Sequence, residues 1–91
     1  MRKITSEAVE AFKGGKYYKN TNTEIAGYSF YLHGNKIAEK RDGEIDITLA
    51  GWNTNTTRER LNGLDGVRVT TRQGQAYLNG KAWDGEWITI K

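Results

Sequence analysis

Ile25-Ala26-Gly27-Tyr28-Ser29-Phe30-Tyr31-Leu32, followed by His33-Gly34-Asn35 and then by Lys36-Ile37-Ala38-Glu39-Lys40, is the stretch on which the fold turns. Its apolar positions recur at every second residue, the period of a half-buried strand and not of a helix. Ala26, Tyr28, Phe30 and Leu32 are expected on one face of a single strand, and His33-Gly34-Asn35 carries a hairpin signal. The next turn, Arg41-Asp42-Gly43, sets the register of the third strand. A three-residue loop with Gly43 left-handed places Ile37 opposite Ile47, whereas a two-residue Asp42-Gly43 turn sends Ile37 to the other face. The bulged loop is therefore predicted, with Ile45, Ile47 and Leu49 continuing the buried face of a three-stranded meander.

Upstream, an amphipathic helix is predicted over residues 6–13, with Thr5 as its N-cap and Gly14 just past its end. Ile4 and Val9 have the spacing of a hydrophobic staple, and Ala8, Val9 and Phe12 form the stripe that would lie on the sheet. Residues 14–23 read as a loop. Downstream, Gly51-Trp52-Asn53-Thr54-Asn55 breaks the sheet, and Thr56-Thr57-Arg58-Glu59 has capping-box spacing, so a second helix should run from Thr56 to about Asn62. Strand pattern returns at Val67-Arg68-Val69-Thr70-Thr71. Three X-Gly turns then separate short apolar pieces around Tyr77, Trp83 and Ile88. The expectation is an α+β fold, a small antiparallel sheet of about five to six strands with two short helices, in the order α-β-β-β-α-β-β-β.

Ninety-one residues suffice for a single domain, 1–91, since so short a chain buries only about 60 to 65% of its unfolded surface. With no cysteine, a disulfide framework, thiolate metal sites and thiol catalysis are excluded, and a reducing cytoplasm is the simplest setting. The N-terminal residues reach Glu7 before any apolar run, unlike a secretory signal. No stretch approaches the roughly 20 apolar residues of a membrane span. Fourteen basic and eleven acidic residues, net charge +3, are interspersed along the chain, which allows a nucleic-acid partner without demanding one.

The stock of catalytic parts is small: one histidine, His33, in a turn, and turn-associated carboxylates at Asp42, Asp84 and Glu86. Binding, with no enzymatic activity, no cofactor and no metal, is the expectation. Two segments exceed what folding requires. Trp52, Asn53, Asn55, Arg58 and Arg60 combine a large aromatic, amides, a helix N-terminus and two guanidiniums, which suits a partner-binding or anion site. Set against that, Trp52 reads as core, the Asn and Thr residues as caps and the arginines as a solvated face. Lys16-Tyr17-Tyr18-Lys19 suits a protein interface anchored by Tyr17 and Tyr18, or base stacking with phosphate contacts from Lys16, Lys19, Arg58 and Arg60. Equally, one tyrosine covers the core while the lysines are solvated.

Residues 4–12, Asn22-Thr23-Glu24, residues 32–38 and above all Gly51-Trp52-Asn53-Thr54-Asn55-Thr56-Thr57-Arg58-Glu59-Arg60-Leu61-Asn62-Gly63 resemble short proteins of tailed bacteriophages. The resemblance covers about two thirds of the chain and implies a viral origin and action in the host cytoplasm, with no catalytic residues carried over. It further implies a small accessory protein acting stoichiometrically on host or defence machinery. The leading expectation is therefore a protein that binds and occludes a host protein, a defence or nucleic-acid-processing component. A nucleic-acid binder and a sponge for a nucleotide signal near Thr56, Thr57 and Arg58 are the alternatives. The edge of so small a sheet also allows a homodimer.

Overall fold

A computed structural model of the protein describes residues 2–90. Helix α1 (Lys3–Gly14) is followed by β1 (Tyr18–Asn20), β2 (Thr23–Ala26), β3 (Ser29–Leu32), β4 (Asn35–Arg41) and β5 (Glu44–Ile47). Helix α2 (Asn55–Leu61) then leads to β6 (Val69–Arg72), β7 (Gln75–Leu78), β8 (Lys81–Trp83) and β9 (Ile88–Thr89). The fold is α+β, with strands before and after the second helix, as expected. Six strands form one sheet in the order β1-β2-β3-β4-β5-β9, and β6-β7-β8 form a second, all neighbours antiparallel. The expected sheet size matches the first of these; the further strands arise because turns come more often than the apolar period alone suggests.

Two segments show this. Gly27 adopts φ 61° and reverses the chain, so the predicted single strand from Ile25 to Leu32 is a hairpin in which Ile25 faces Phe30. Ala26 and Tyr28 are consequently exposed instead of sharing the face of Phe30. The predicted loop over residues 14–23 contains β1, which pairs with β2 from Tyr18 to Asn20.

The register of β5 also departs from expectation. Asp42 and Gly43 take φ of 51° and 80° in a two-residue turn of the primed kind, with Arg41 opposite Glu44. The extra residue lies in β4 instead: Phe30 pairs with Ala38 and Tyr31 with Lys36, leaving Ile37 as a bulge. The bulge turns Ile37 and Ala38 to the same side, so Ile37, Ala38 and Ile47 are all buried without a three-residue loop.

One face of the large sheet carries Ile25, Phe30, Leu32, Ala38 and Ile47 against Ala8, Val9 and Phe12 of α1. The Phe12 and Phe30 rings meet edge to face, 5.6 Å between centroids. Gly15, left-handed, caps α1, and the Lys40 ammonium donates to the carbonyls of Phe12 and Lys13 at 3.2 and 3.0 Å. On the opposite face Lys19, Glu24, Tyr31 and Lys36 lie in one cross-strand row. Lys36 pairs with Glu39 at 2.6 Å and the exposed Arg41 with the buried Asp46 at 2.9 Å, which makes this a charge-balanced face.

Both helices start elsewhere than their local capping signals suggest. Helix α1 begins at Lys3, with Arg2 at the N-cap position, so Thr5 lies inside its first turn and is buried. Helix α2 is capped by Thr54, whose hydroxyl accepts from the Thr57 amide at 3.2 Å, and not by Thr56. Glu59 makes no capping box; it reaches across to α1. Thr5 and Glu59, which local pattern assigned to caps, have both been claimed by tertiary partners.

Candidate functional site

The segment from Trp52 to Gly63 can be resolved residue by residue into what folding uses and what it leaves over. Arg58 folds back on its own loop, donating to the Asn53 carbonyl at 3.0 Å and to the side-chain oxygens of Asn53 and Asn55. Asn53, in turn, donates to the Thr71 hydroxyl at 3.2 Å and so ties this loop to β6. Asn62 donates to the Val69 carbonyl at 3.0 Å and accepts from the Val69 amide, standing in for a strand partner at the edge of β6. Gly63 is set by space: a Cβ there would meet Thr5 Cγ2 at 2.7 Å and Val9 Cγ2 at 2.8 Å. Leu61 is in the core.

Arg60 is a candidate contact residue that the structure removes from the surface. It is 2% exposed, donating from Nε to Thr23 at 3.0 Å and from Nη1 to Thr5 at 2.9 Å and Glu59 at 2.6 Å. Burial acts to raise the Glu59 carboxyl. The Thr5 hydroxyl, the Arg2 amide and the Arg60 guanidinium outweigh it, and the group is held below its ordinary value. This node joins α1, β2 and α2. Thr57, Arg60 and Leu61 share the buried face of α2 at i, i+3, i+4 spacing, a signal present in the sequence but masked by the charge of the arginine.

Trp52 remains. It is 58% exposed, held by a turn in which its amide donates to the Leu49 carbonyl at 2.8 Å, and it stands beside a cleft of about 480 Å³. Leu32, Ile37 and Leu49 supply the cleft's apolar side; His33, Asn35, Thr54, Thr56 and Thr57 supply hydroxyl, amide and imidazole groups. The β4 bulge contributes directly, since it is what turns Ile37 to this side of the sheet. Thr54 and Thr57 hydroxyls bond one another at 3.0 Å, and the Thr57 amide is already taken by the cap.

The other predicted residues lie apart from this cleft. Tyr17, 66% exposed, and Lys16 border a hollow with Glu10, Ala11, Lys13 and Gly14 at the end of α1. The Tyr17 hydroxyl is raised above an ordinary tyrosine, by desolvation first and then by hydrogen bonding to the Glu24 carboxylate. Tyr18 is half-buried against the core and its hydroxyl donates to Glu7 at 3.0 Å. Lys19 borders a hollow with Thr21, Asn22, Thr23, Glu24, His33 and Gly34. His33 is exposed with φ 52° and lies 3.4 Å from the Asn22 amide. Sequence reasoning missed Trp87, placed in a strand by its neighbours but 50% exposed just before β9; no pattern in the sequence distinguishes it from the buried Trp83.

No helix among the described residues is long and apolar enough to cross a membrane. The family model described as Kyanoviridae Gp96 protein matches residues 1–90. No curated protein and no solved structure matches the chain.

Proposed function

The chain belongs to the Kyanoviridae Gp96 protein family, a family of bacteriophage proteins, and from that premise we propose that it is an accessory protein that binds and occludes a host protein. It acts in the cytoplasm of the infected bacterium, by stoichiometric contact and without catalysis, on a defence or nucleic-acid-processing component. The observation that carries this reading is Trp52. Every other large or charged side chain from Asn53 to Leu61 has an intramolecular use, whereas Trp52 is left in water beside an apolar cleft. A tryptophan so placed is the residue type most often found as the anchor of a protein interface.

The arginines the nucleic-acid alternative relies on are engaged, Arg58 by Asn53 and Asn55, Arg60 by its buried node. The cleft offers a nucleotide phosphate neither a lysine nor an arginine among its lining residues.

Affinity capture from a bacterial lysate, with and without nuclease and at moderate salt, tests the proposal. A stoichiometric host protein should survive nuclease and be lost from Trp52→Ala, with binding weakened by at least about 2 kcal/mol and an unchanged melting temperature. Recovery of nucleic acid alone, with affinity falling steeply between about 50 and 200 mM salt, would replace this reading by nucleic-acid binding.

A further inference from the structure

We propose that the cleft beside Trp52 is a receptacle for one uncharged, apolar side chain projecting from a partner protein. This rests on the reading that the Trp52 face is where a partner docks, and it states what that partner must present.

Charge is the first argument. No Asp, Glu, Lys or Arg lines the cleft. The hollows beneath Tyr28, beside Tyr17, around Thr23 and around Ala82 each carry at least one lysine. A charged group entering the Trp52 cleft would give up its hydration with no opposite charge to meet, whereas an aliphatic or aromatic group would leave water for Leu32, Ile37 and Leu49.

Shape is the second. A free small molecule is normally enclosed over most of its surface. Here the rim is open, with Trp52, Thr54 and His33 all exposed. A side chain arriving on a partner brings its own surface to complete the enclosure, and that surface covers the outer part of Trp52. The exposed His33 and the half-buried Thr56 and Asn35 then meet the polar backbone on either side of the inserted residue. Contacts of this kind, an apolar anchor within a polar rim, are the usual anatomy of a protein interface.

Panning a library of random linear 12-residue peptides against the immobilised protein tests this without knowledge of the partner. The recovered peptides should share one large uncharged apolar position, and alanine at that position should weaken binding at least about tenfold. Trp52→Ala should do the same. Asn35→Asp, nearly isosteric, places a negative charge on the rim and should weaken binding by a similar factor with the melting temperature unchanged. Affinity should change less than about threefold between 50 and 200 mM salt. Failure to enrich any peptide, enrichment of basic or acidic sequences with no shared apolar residue, or affinity indifferent to Trp52 would overturn the proposal. Peptides of the expected kind, with a lysate yielding no host protein, would leave the cleft assignment standing and remove the host-protein reading. A Trp52-dependent lysate partner, with peptides lacking the apolar residue, would remove only the cleft assignment.

Discussion

Replacing Arg60 by methionine should be among the most damaging single substitutions in the chain. Methionine fills much of the same volume but removes bonds to Thr23, Thr5 and Glu59, and leaves a carboxylate on a site built for a pair. Breaking a buried pair by removing one partner costs about 3–5 kcal/mol. Because the Glu59 side chain is a quarter exposed, water can replace part of the loss, and the lower end, about 3 kcal/mol, is expected. At about 0.05–0.15 kcal/mol per residue, a chain of this length has about 5–14 kcal/mol in total, so the variant would lose a large share of its stability. Its melting temperature should fall by about 12–24 °C. Urea unfolding of the wild type, Arg60→Met, Glu59→Leu and the double variant completes a cycle in which the double variant loses less than the two singles together, by about 1–2 kcal/mol. A loss below about 1 kcal/mol for Arg60→Met, or strict additivity, would show that the node contributes little.

Three further outcomes follow from the same geometry. Glu59 titrates lower in the folded chain than in the unfolded one, so its contribution is complete above the ordinary carboxylate value of about 4.3 and is lost as pH falls through the folded value. The urea midpoint should accordingly drop more steeply on acidification for the wild type than for Glu59→Gln; parallel profiles would contradict this assignment. Gly63→Ala should destabilise by about 1–3 kcal/mol, because the new methyl meets two α1 side chains, one of them Thr5, which is pinned by Glu59 and Arg60. Gly14→Ala, where the nearest atom is a flexible lysine carbon at 3.7 Å, serves as its control and should shift stability by less than about 1 kcal/mol.

The candidate site was legible in part. Trp52 stands out in the sequence because a tryptophan in a polar, turn-rich segment has no periodic apolar neighbours to join, although the same residue also read as core. Its exposure depends on how the loop after Leu49 is turned, and that is fixed by bonds from Leu49 to Gly85 and from Trp52 to Leu49. Arg60 was unreadable for a different reason. An arginine on a short helix is ordinarily solvated, and its burial depends on three acceptors that lie 1, 37 and 55 positions away along the chain.

What the sequence by itself determined were the features set by neighbouring residues: the α+β class, the two short helices, and the X-Gly turns whose left-handed backbone only a few residue types accept. What the tertiary structure decided were the choices between local solutions of nearly equal energy. A bulge at Ile37, and not a longer turn at Gly43, brought Ile37 to the cleft. Thr5 and Glu59 left capping roles for Arg60, because satisfying one buried guanidinium outweighs either cap. Local pattern fixes which conformations a segment can adopt, but only the packed chain determines which of its polar groups find each other and which apolar side chain is left facing water.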